Sequence, residues 1–294
     1  MDNRWITLKW HLIAVLTVGI WGTTFISTKV LMEHGLTPQE IFVLRFVMAY
    51  AGIWFISSRR LFADSWKDEM WLCAGGLTGG SLYFLTENTA LGITQTTNVA
   101  FIVCSTPLIT TLLTLLFYPK ERGGRWLLTG SLVALLGVGF LVFNGNYVLQ
   151  LSPVGDLLSL AASLLWAFYS LIIRKVEGRY STLFITRKIF FYGLLTILPY
   201  FWINPWQVSV ATLCQPAVGG NLLFLGLLAS LICFVVWNLV LKRLGTIVAS
   251  NYLYLNPLFT TAASLLFLEE RFTEVMVVGA FFVLFGVYLS GRRS

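Results

Sequence analysis

Apolar stretches of about 20 residues recur along nearly the whole chain, and that recurrence constrains the fold more than any other feature. A helix needs roughly that many residues to cross a hydrocarbon core about 30 Å thick. Ten candidate spans can be placed, at 11–32, 39–58, 70–93, 97–118, 125–143, 154–174, 182–203, 219–242, 246–268 and 273–291. Little of the 294 residues is left for a soluble domain. Charged residues make up 11% of the chain, against about 25% in an ordinary soluble domain, and mean hydropathy is +0.80. The expected fold class is therefore all-α, a polytopic membrane protein. The first run is too long for a secretion signal and lacks a small-residue cleavage site, so it is read as a retained span.

The net charge of +7 would point a soluble protein toward nucleic acid. Here its placement gives it another meaning. Lys and Arg gather in alternate connections: Arg4 and Lys9, then Arg59, Arg60 and Lys67, then Lys120, Arg122 and Arg125, and so on to Arg292 and Arg293. The intervening connections hold Arg271 alone. By the positive-inside rule both termini are expected in the cytoplasm and the span number is expected to be even. Lipid replaces nucleic acid as the expected partner, in a multi-pass cell-membrane protein.

Cys73, Cys104 and Cys233 fall within spans and Cys214 in a connection, so the cysteines read as packing residues rather than a disulfide set. His11 and His34 lie near the ends of the first span, which leaves no His–carboxylate cluster for a metal. No cofactor is expected. A membrane enzyme would need a nucleophile, base or metal constellation, and none is legible.

Shifting the chain by 150 residues aligns 76–117 with 226–267 without a gap. The informative matches are Asn88/Asn238, Pro107/Pro257 and the Thr-Thr pairs 110–111 and 260–261. After a one-residue gap, Gly130 and Gly137 meet Gly279 and Gly286. The chain thus divides into a unit at 1–150 and a second at 151–294, with five spans each. An odd number of spans per unit makes the second enter the membrane from the opposite side. Two inverted five-helix repeats are an architecture of secondary transporters, because similar halves in opposite orientations can exchange roles.

The motifs WGTTFISTK (21–29), LRFVMA (44–49), TENTALGIT (86–94), STPL (105–108) and LEER (268–271), with glycine-rich fifth and tenth spans, resemble the EamA branch of the drug/metabolite transporter superfamily over essentially the full chain. YPKERGG (118–124) departs from the pattern, so Glu121 is given only a connecting role. The resemblance implies ten transmembrane helices around a central cavity and, usually, export of amino acids or other small metabolites.

Glu87 is the residue that needs explaining. At 1.5 Å per residue it lies roughly 25 Å along the third span, at about the depth of Lys29 and close to that of Arg45. A charge within a bilayer usually pairs or faces water. Two readings stay open. In one, Glu87 is bridged to Lys29 or Arg45 and is structural, in a facilitator, exchanger or drug-efflux protein. In the other it lines the cavity and takes up a proton or the ammonium of a small-molecule substrate. Glu87 maps to Trp237 under the 150-residue shift while Asn88 maps to Asn238, so the shared scaffold does not require the acid.

The remaining candidate substrate contacts are Asn88 and Asn238, which offer amide hydrogen bonds, with Trp21, Thr24, Tyr83, Asn98, Trp166, Tyr169, Trp237, Tyr252 and Asn256. Pro107 and Pro257 are candidate gating kinks, each removing a backbone donor. The face carrying Gly76, Gly80, Tyr83 and Glu87 is expected to leave room beside the glutamate. The Gly130/Gly137 and Gly279/Gly286 faces are expected to form a seam between the units, with a homodimer face as the alternative. Arg174, Arg187 and Lys188 read as positive-inside anchors. Oligomeric state is left open.

Overall fold

A computed structural model describes residues 3–94, 96–118, 126–143, 152–267 and 273–291. Among these residues the regular structure is entirely helical. Six helices are long and apolar enough to cross a membrane: Leu8–Glu33, Pro38–Ile56, Pro153–Val176, Thr182–Ile203, Pro216–Leu244 and Glu274–Gly291. The other expected spans fall on helical stretches that are interrupted or shorter. Glu121 and the LEER motif lie outside the described residues, as does the side chain of Asn98.

The chain opens with α1 (Asn3–Glu33) and α2 (Pro38–Ile56). Gly35 joins them at φ +87°, a conformation costly for any residue with a Cβ. Thr37 and Glu40 form a reciprocal capping box at the start of α2. The second carboxylate oxygen of Glu40 accepts from the amides of Gln207 and Val208, at 2.6 and 2.8 Å. One acid thus caps a helix and ties it to a distant connection.

Next come α3 (Trp66–Gly76), a π turn at Leu77–Ser81 and α4 (Leu82–Ile93). The later equivalents are α11 (Pro216–Leu223), a π turn at Phe224–Ile232 and α12 (Cys233–Leu244). A shift of 150 carries 77–81 onto 227–231, so both units widen their helix at the same place. The fourth span is α5 (Thr96–Val103) followed by α6 (Thr106–Phe117), and its counterpart is α13 (Thr246–Asn251), a 3₁₀ turn at Tyr252–Leu255 and α14 (Asn256–Phe267). Pro107 and Pro257 sit at these breaks. The carbonyl of Val103, left without its usual donor by Pro107, accepts from the Thr106 hydroxyl at 2.6 Å. The Leu253 carbonyl accepts instead from the Asn256 amide.

The remaining helices are α7 (Leu127–Phe143), α8 (Pro153–Val176), α9 (Thr182–Ile203), the single turn α10 (Val210–Leu213) and α15 (Glu274–Gly291). Glycines bring α7 and α15 into backbone contact: a Cβ on Gly130 would strike Ser290 and Gly286, and one on Gly137 would strike Val283 and Gly279. Rising numbers on one helix meet falling numbers on the other, so the two run antiparallel. Within one chain these faces meet each other.

The glycines of the third span are filled differently from expectation. A Cβ on Gly76 would meet Tyr192 and Gly193 of α9, and one on Gly79 would enter the Tyr169 ring of α8. The space belongs to α8 and α9. A π turn lies between Gly76 and Tyr83, and its extra residue breaks the 3.6-residue phase that had put both on one face.

The start of α1, the 57–65 and 176–181 connections and the end of α12 form one end of the bundle. Arg243 lies over the Trp10 ring, and the Asp64 amide donates to Tyr180. We call this the basic end. The expected anchors are built into it instead of standing free. Arg187 and Lys188 are 2% and 4% exposed. Arg187 donates to the carbonyls of Ser58 and Arg60. Lys188 donates to the Leu61 carbonyl at 3.0 Å and pairs with Glu69, which also accepts from Tyr192. Asp68 pairs with Arg179 and accepts from Tyr180 at 2.8 Å. Burial pushes the Asp68 carboxyl up, but the Tyr180 hydrogen bond and the Arg179 guanidinium outweigh it and hold the group below the usual carboxylate range. Arg174 lies 4.0 Å over the Tyr118 ring.

Candidate functional site

A cavity of about 100 Å³ for the centres of water-sized molecules lies in the half of the bundle away from the basic end. A buried water needs roughly 10–15 Å³ by the same measure, so there is room for several waters or a small solute. Four expected elements converge on it. α1 contributes Trp21, Thr24 and Thr28, spaced by about one and two turns on a single face. α2 contributes Arg45, α4 contributes Tyr83, Glu87 and Asn88, and α8 contributes Trp166. The two helix breaks complete the wall, with Val103, Cys104 and Thr106 on one side and Leu253 and Asn256 on the other.

Glu87 is 6% exposed and accepts a hydrogen bond from the Tyr83 hydroxyl at 2.8 Å. These residues are four apart on α4, so a single turn presents the pair. Arg45, also 6% exposed, donates from Nε to Ser230 Oγ at 2.7 Å, and its guanidinium carbon lies 4.8 Å from the Phe84 ring centre. The π turn of the second unit supplies Ser230. Glu87 and Arg45 therefore line one cavity with opposite charges, yet no ion pair within 4.0 Å joins them. Each is held by a neutral partner.

Lys29 is exposed and does not line the cavity. Depth arithmetic says nothing of the direction in which it points. One residue beyond Thr28 turns the side chain by about 100° around α1.

Trp21 and Trp166 form the floor. Their rings meet edge-to-face at 5.5 Å, and Tyr83 packs on Trp166 at 4.9 Å. A shift of 145 carries Trp21 onto Trp166 and Lys29 onto Arg174, so these tryptophans are repeat-mates. The Trp21 indole donates to the Ala229 carbonyl at 2.9 Å, within the second π turn.

The other expected contacts lie behind this floor. Trp237 is fully buried and packs on Trp21 at 5.2 Å. Asn238 accepts from the Tyr169 hydroxyl at 2.8 Å and donates to Thr186 at 2.9 Å, closing a buried network. Tyr252 bonds His11 at 2.6 Å. None of these four lines the cavity. Asn88, by contrast, lines it and bonds no described residue.

Sequence reasoning missed Thr28, Phe42, Phe84, Phe234 and Ser230. Thr28 was within reach, being seven residues beyond Trp21. Ser230 carried no signal, since its role follows from a helix crossing and a π turn.

Comparisons with known proteins give the chain a family and a fold. An EamA-like transporter family model matches twice, over residues 8–143 and 153–292. An uncharacterized transporter of Archaeoglobus fulgidus is 26% identical, covering 97% of this chain and 98% of its own. A probable amino-acid metabolite efflux pump of Escherichia coli is 25% identical, covering 95% and 93%. A probable terminal-alkyne amino-acid exporter of Streptantibioticus cattleyicolor is also 25% identical, covering 95% and 92%. A solved crystal structure superposes with a TM-score of 0.76 over 96% of both chains, at 19% identity, which speaks to the fold alone. With two matches spanning nearly all of its length and helices of membrane-crossing length around a central cavity, this chain belongs to the EamA-like transporter family.

Proposed function

We propose that the protein exports amino acids or closely related zwitterions by alternating access between two inverted five-helix units, in a ten-span arrangement with both termini in the cytoplasm. The observation that carries the substrate class is the separation of Glu87 and Arg45 within one cavity. A solute bearing both an ammonium and a carboxylate can satisfy Glu87 with the first and Arg45 with the second. Guanidinium and carboxylate are also well matched in hydrogen-bond geometry. The aromatic wall of Trp21, Tyr83, Trp166 and Phe84 suits an apolar side chain. Relatives named for amino-acid efflux support the same reading.

Inversion is supported by the antiparallel packing of α7 against α15, and the even span count by the charge asymmetry of the connections. Glu87 is also the group able to exchange a proton when the cavity is empty, which would couple solute to proton movement. Pro107 and Pro257, at the two breaks flanking the cavity, are the joints about which the units rock.

The test is transport by reconstituted protein loaded with labelled neutral amino acids. Glu87→Gln and Arg45→Gln, both folded, are expected to lose amino-acid flux while an amphipathic cation is not carried by any variant. Undiminished amino-acid flux in both variants would remove the pair from recognition. Flux of the cation surviving both substitutions would favour drug efflux with a structural Glu87.

A further inference from the structure

Directly beyond the cavity, on the two helices whose breaks form its wall, lies a seam of polar side chains with nothing to bond. Thr110, Thr111 and Thr114 of α6 and Ser250 of α13 have no measurable exposure, and Asn251 has 2%. The four hydroxyls and both amide atoms of Asn251 lack a hydrogen-bond partner among the described residues. α6 and α13 pack against one another. Both lie on the basic-end side of the breaks, because α13 leads up to the 3₁₀ turn and α6 leads away from Ser105.

Unbonded hydroxyls also occur elsewhere, at Ser57 and Thr94 for example, but here five residues gather on two packed helices. Thr17, Thr78, Thr86, Thr186 and Thr196 each donate to the carbonyl four residues earlier, the usual refuge of a helical threonine. Thr260, the repeat-mate of Thr110, donates to the carbonyls of Gly22 and Asn256. The repeat-mates of Ser250 and Asn251 are Ala100 and Phe101, which are apolar. Thr261 and Ser264 repeat the hydroxyls of Thr111 and Thr114, so the asymmetry lies in α13, which adds Ser250 and Asn251 where its repeat-mate has Ala100 and Phe101, at the place opposite the cavity. An unbonded buried polar group costs about 1–3 kcal/mol, so a state in which water reaches these five residues relieves that cost.

We infer that Thr110, Thr111, Thr114, Ser250 and Asn251 line a second vestibule, closed in this structure, through which solute passes between the basic end and the cavity. This rests on the alternating-access reading above. When the two units rock, α6 and α13 part, the seam fills with water, and the polar face offers hydrogen bonds to a solute on its way from the cytoplasm. As the units return, the seam closes and the cavity with Glu87 and Arg45 faces the other side.

The experiment uses cysteine accessibility. In protein whose four natural cysteines are replaced, Thr111→Cys and Ser250→Cys are near-isosteric, and each purified variant is checked for a melting temperature close to that of the parent. Trimethylammonium-ethyl methanethiosulfonate reacts with the thiolate and so reports water at the site. Labelling is followed in lipid nanodiscs with and without a mixture of neutral amino acids, alongside Thr28→Cys as the cavity reporter and Phe101→Cys as the apolar repeat-mate. A minor state populated at 0.1–10% leaves room for about a tenfold change in rate when a ligand shifts the equilibrium. The seam positions are expected to label, to change rate with the amino acids by about that factor in the direction opposite to Thr28→Cys, and to exceed Phe101→Cys. If Thr28→Cys responds while both seam variants stay unlabelled, alternation stands and the vestibule is refuted. If the rates at Thr28→Cys and the seam are both unaffected, alternation itself fails and the vestibule falls with it.

Discussion

Arg45 and Arg187 stand at equivalent places in the two units. A shift of 142 carries Phe42, Arg45 and Tyr50 onto Phe184, Arg187 and Tyr192. Arg187 is fully engaged, its guanidinium holding the carbonyls of Ser58 and Arg60 beside the Lys188–Glu69 and Arg179–Asp68 pairs. Arg45 has one hydroxyl and the face of a ring, with the Glu87 carboxylate lining the same cavity. One end of the bundle uses its buried charges to hold the fold. At the other, Glu87 and Arg45 each bond a neutral side chain and make no ion pair within 4.0 Å, and we propose that charges so placed meet a ligand. The same contrast separates Asn238, closed in a network with Tyr169 and Thr186, from Asn88, which faces the cavity.

The comparison breaks first at the basic end. Glu69→Ala leaves Lys188 buried without its carboxylate, a change of the kind that costs about 3–5 kcal/mol, and should lower the melting temperature more than any cavity substitution. A melting temperature within a degree or two of wild type would mean the two ends do not differ in the way argued. At the cavity, Arg45→Gln and Glu87→Gln should leave thermal stability nearly unchanged while raising the apparent KM for a neutral amino acid. Hydrogen bonds to charged groups are worth about 1.5–3 kcal/mol, or roughly a tenfold to hundredfold effect.

Smaller effects sharpen the contrast. Asn238→Ala strands the Tyr169 hydroxyl and should destabilise by about 1–3 kcal/mol, whereas Asn88→Ala should not; paired melting curves decide this. Tyr83→Phe removes a hydrogen bond to Glu87 and should change KM by a few-fold at most, for a loss of about 1 kcal/mol, read in the same flux assay. Acid provides the last. The Asp68 carboxyl is held below its ordinary value when folded, so its contribution is present above the unfolded-state value and is lost as pH falls through the folded one. Acid should therefore loosen the 57–65 connection, measurable by hydrogen exchange, and Asp68→Asn should remove that pH dependence.

Much of this was legible in the sequence. Apolar run length placed the helices to within a few residues, as with 273–291 against Glu274–Gly291. The glycine periodicity of 130/137 and 279/286 identified the α7–α15 contact. The asymmetry of Glu87 against Trp237 drew attention to a residue that lines the cavity, while Trp237 does not. What stayed hidden depends on direction and on helix irregularity. Span arithmetic fixes depth but not azimuth, so Lys29 and Arg45 looked interchangeable until α1 turned one of them outward. The π turns reset the helical phase after Gly76 and Leu223, which moved the glycine face away from Glu87 and brought Ser230 to Arg45. The pairing of Arg187 and Lys188 with the 57–65 connection joins residues far apart in the chain, and composition alone reads such residues as free basic anchors.

The central claim is that Glu87 and Arg45 together recognise a zwitterion. The most direct measurement is the melting temperature of purified protein with a neutral amino acid, with its decarboxylated amine and with its deaminated acid. A ligand that binds only the folded protein raises stability by RT ln(1 + [L]/Kd). The account predicts a shift with the amino acid that is much smaller with either analogue and is abolished by Glu87→Gln or Arg45→Gln. Equal shifts with all three solutes, surviving both substitutions, would contradict it.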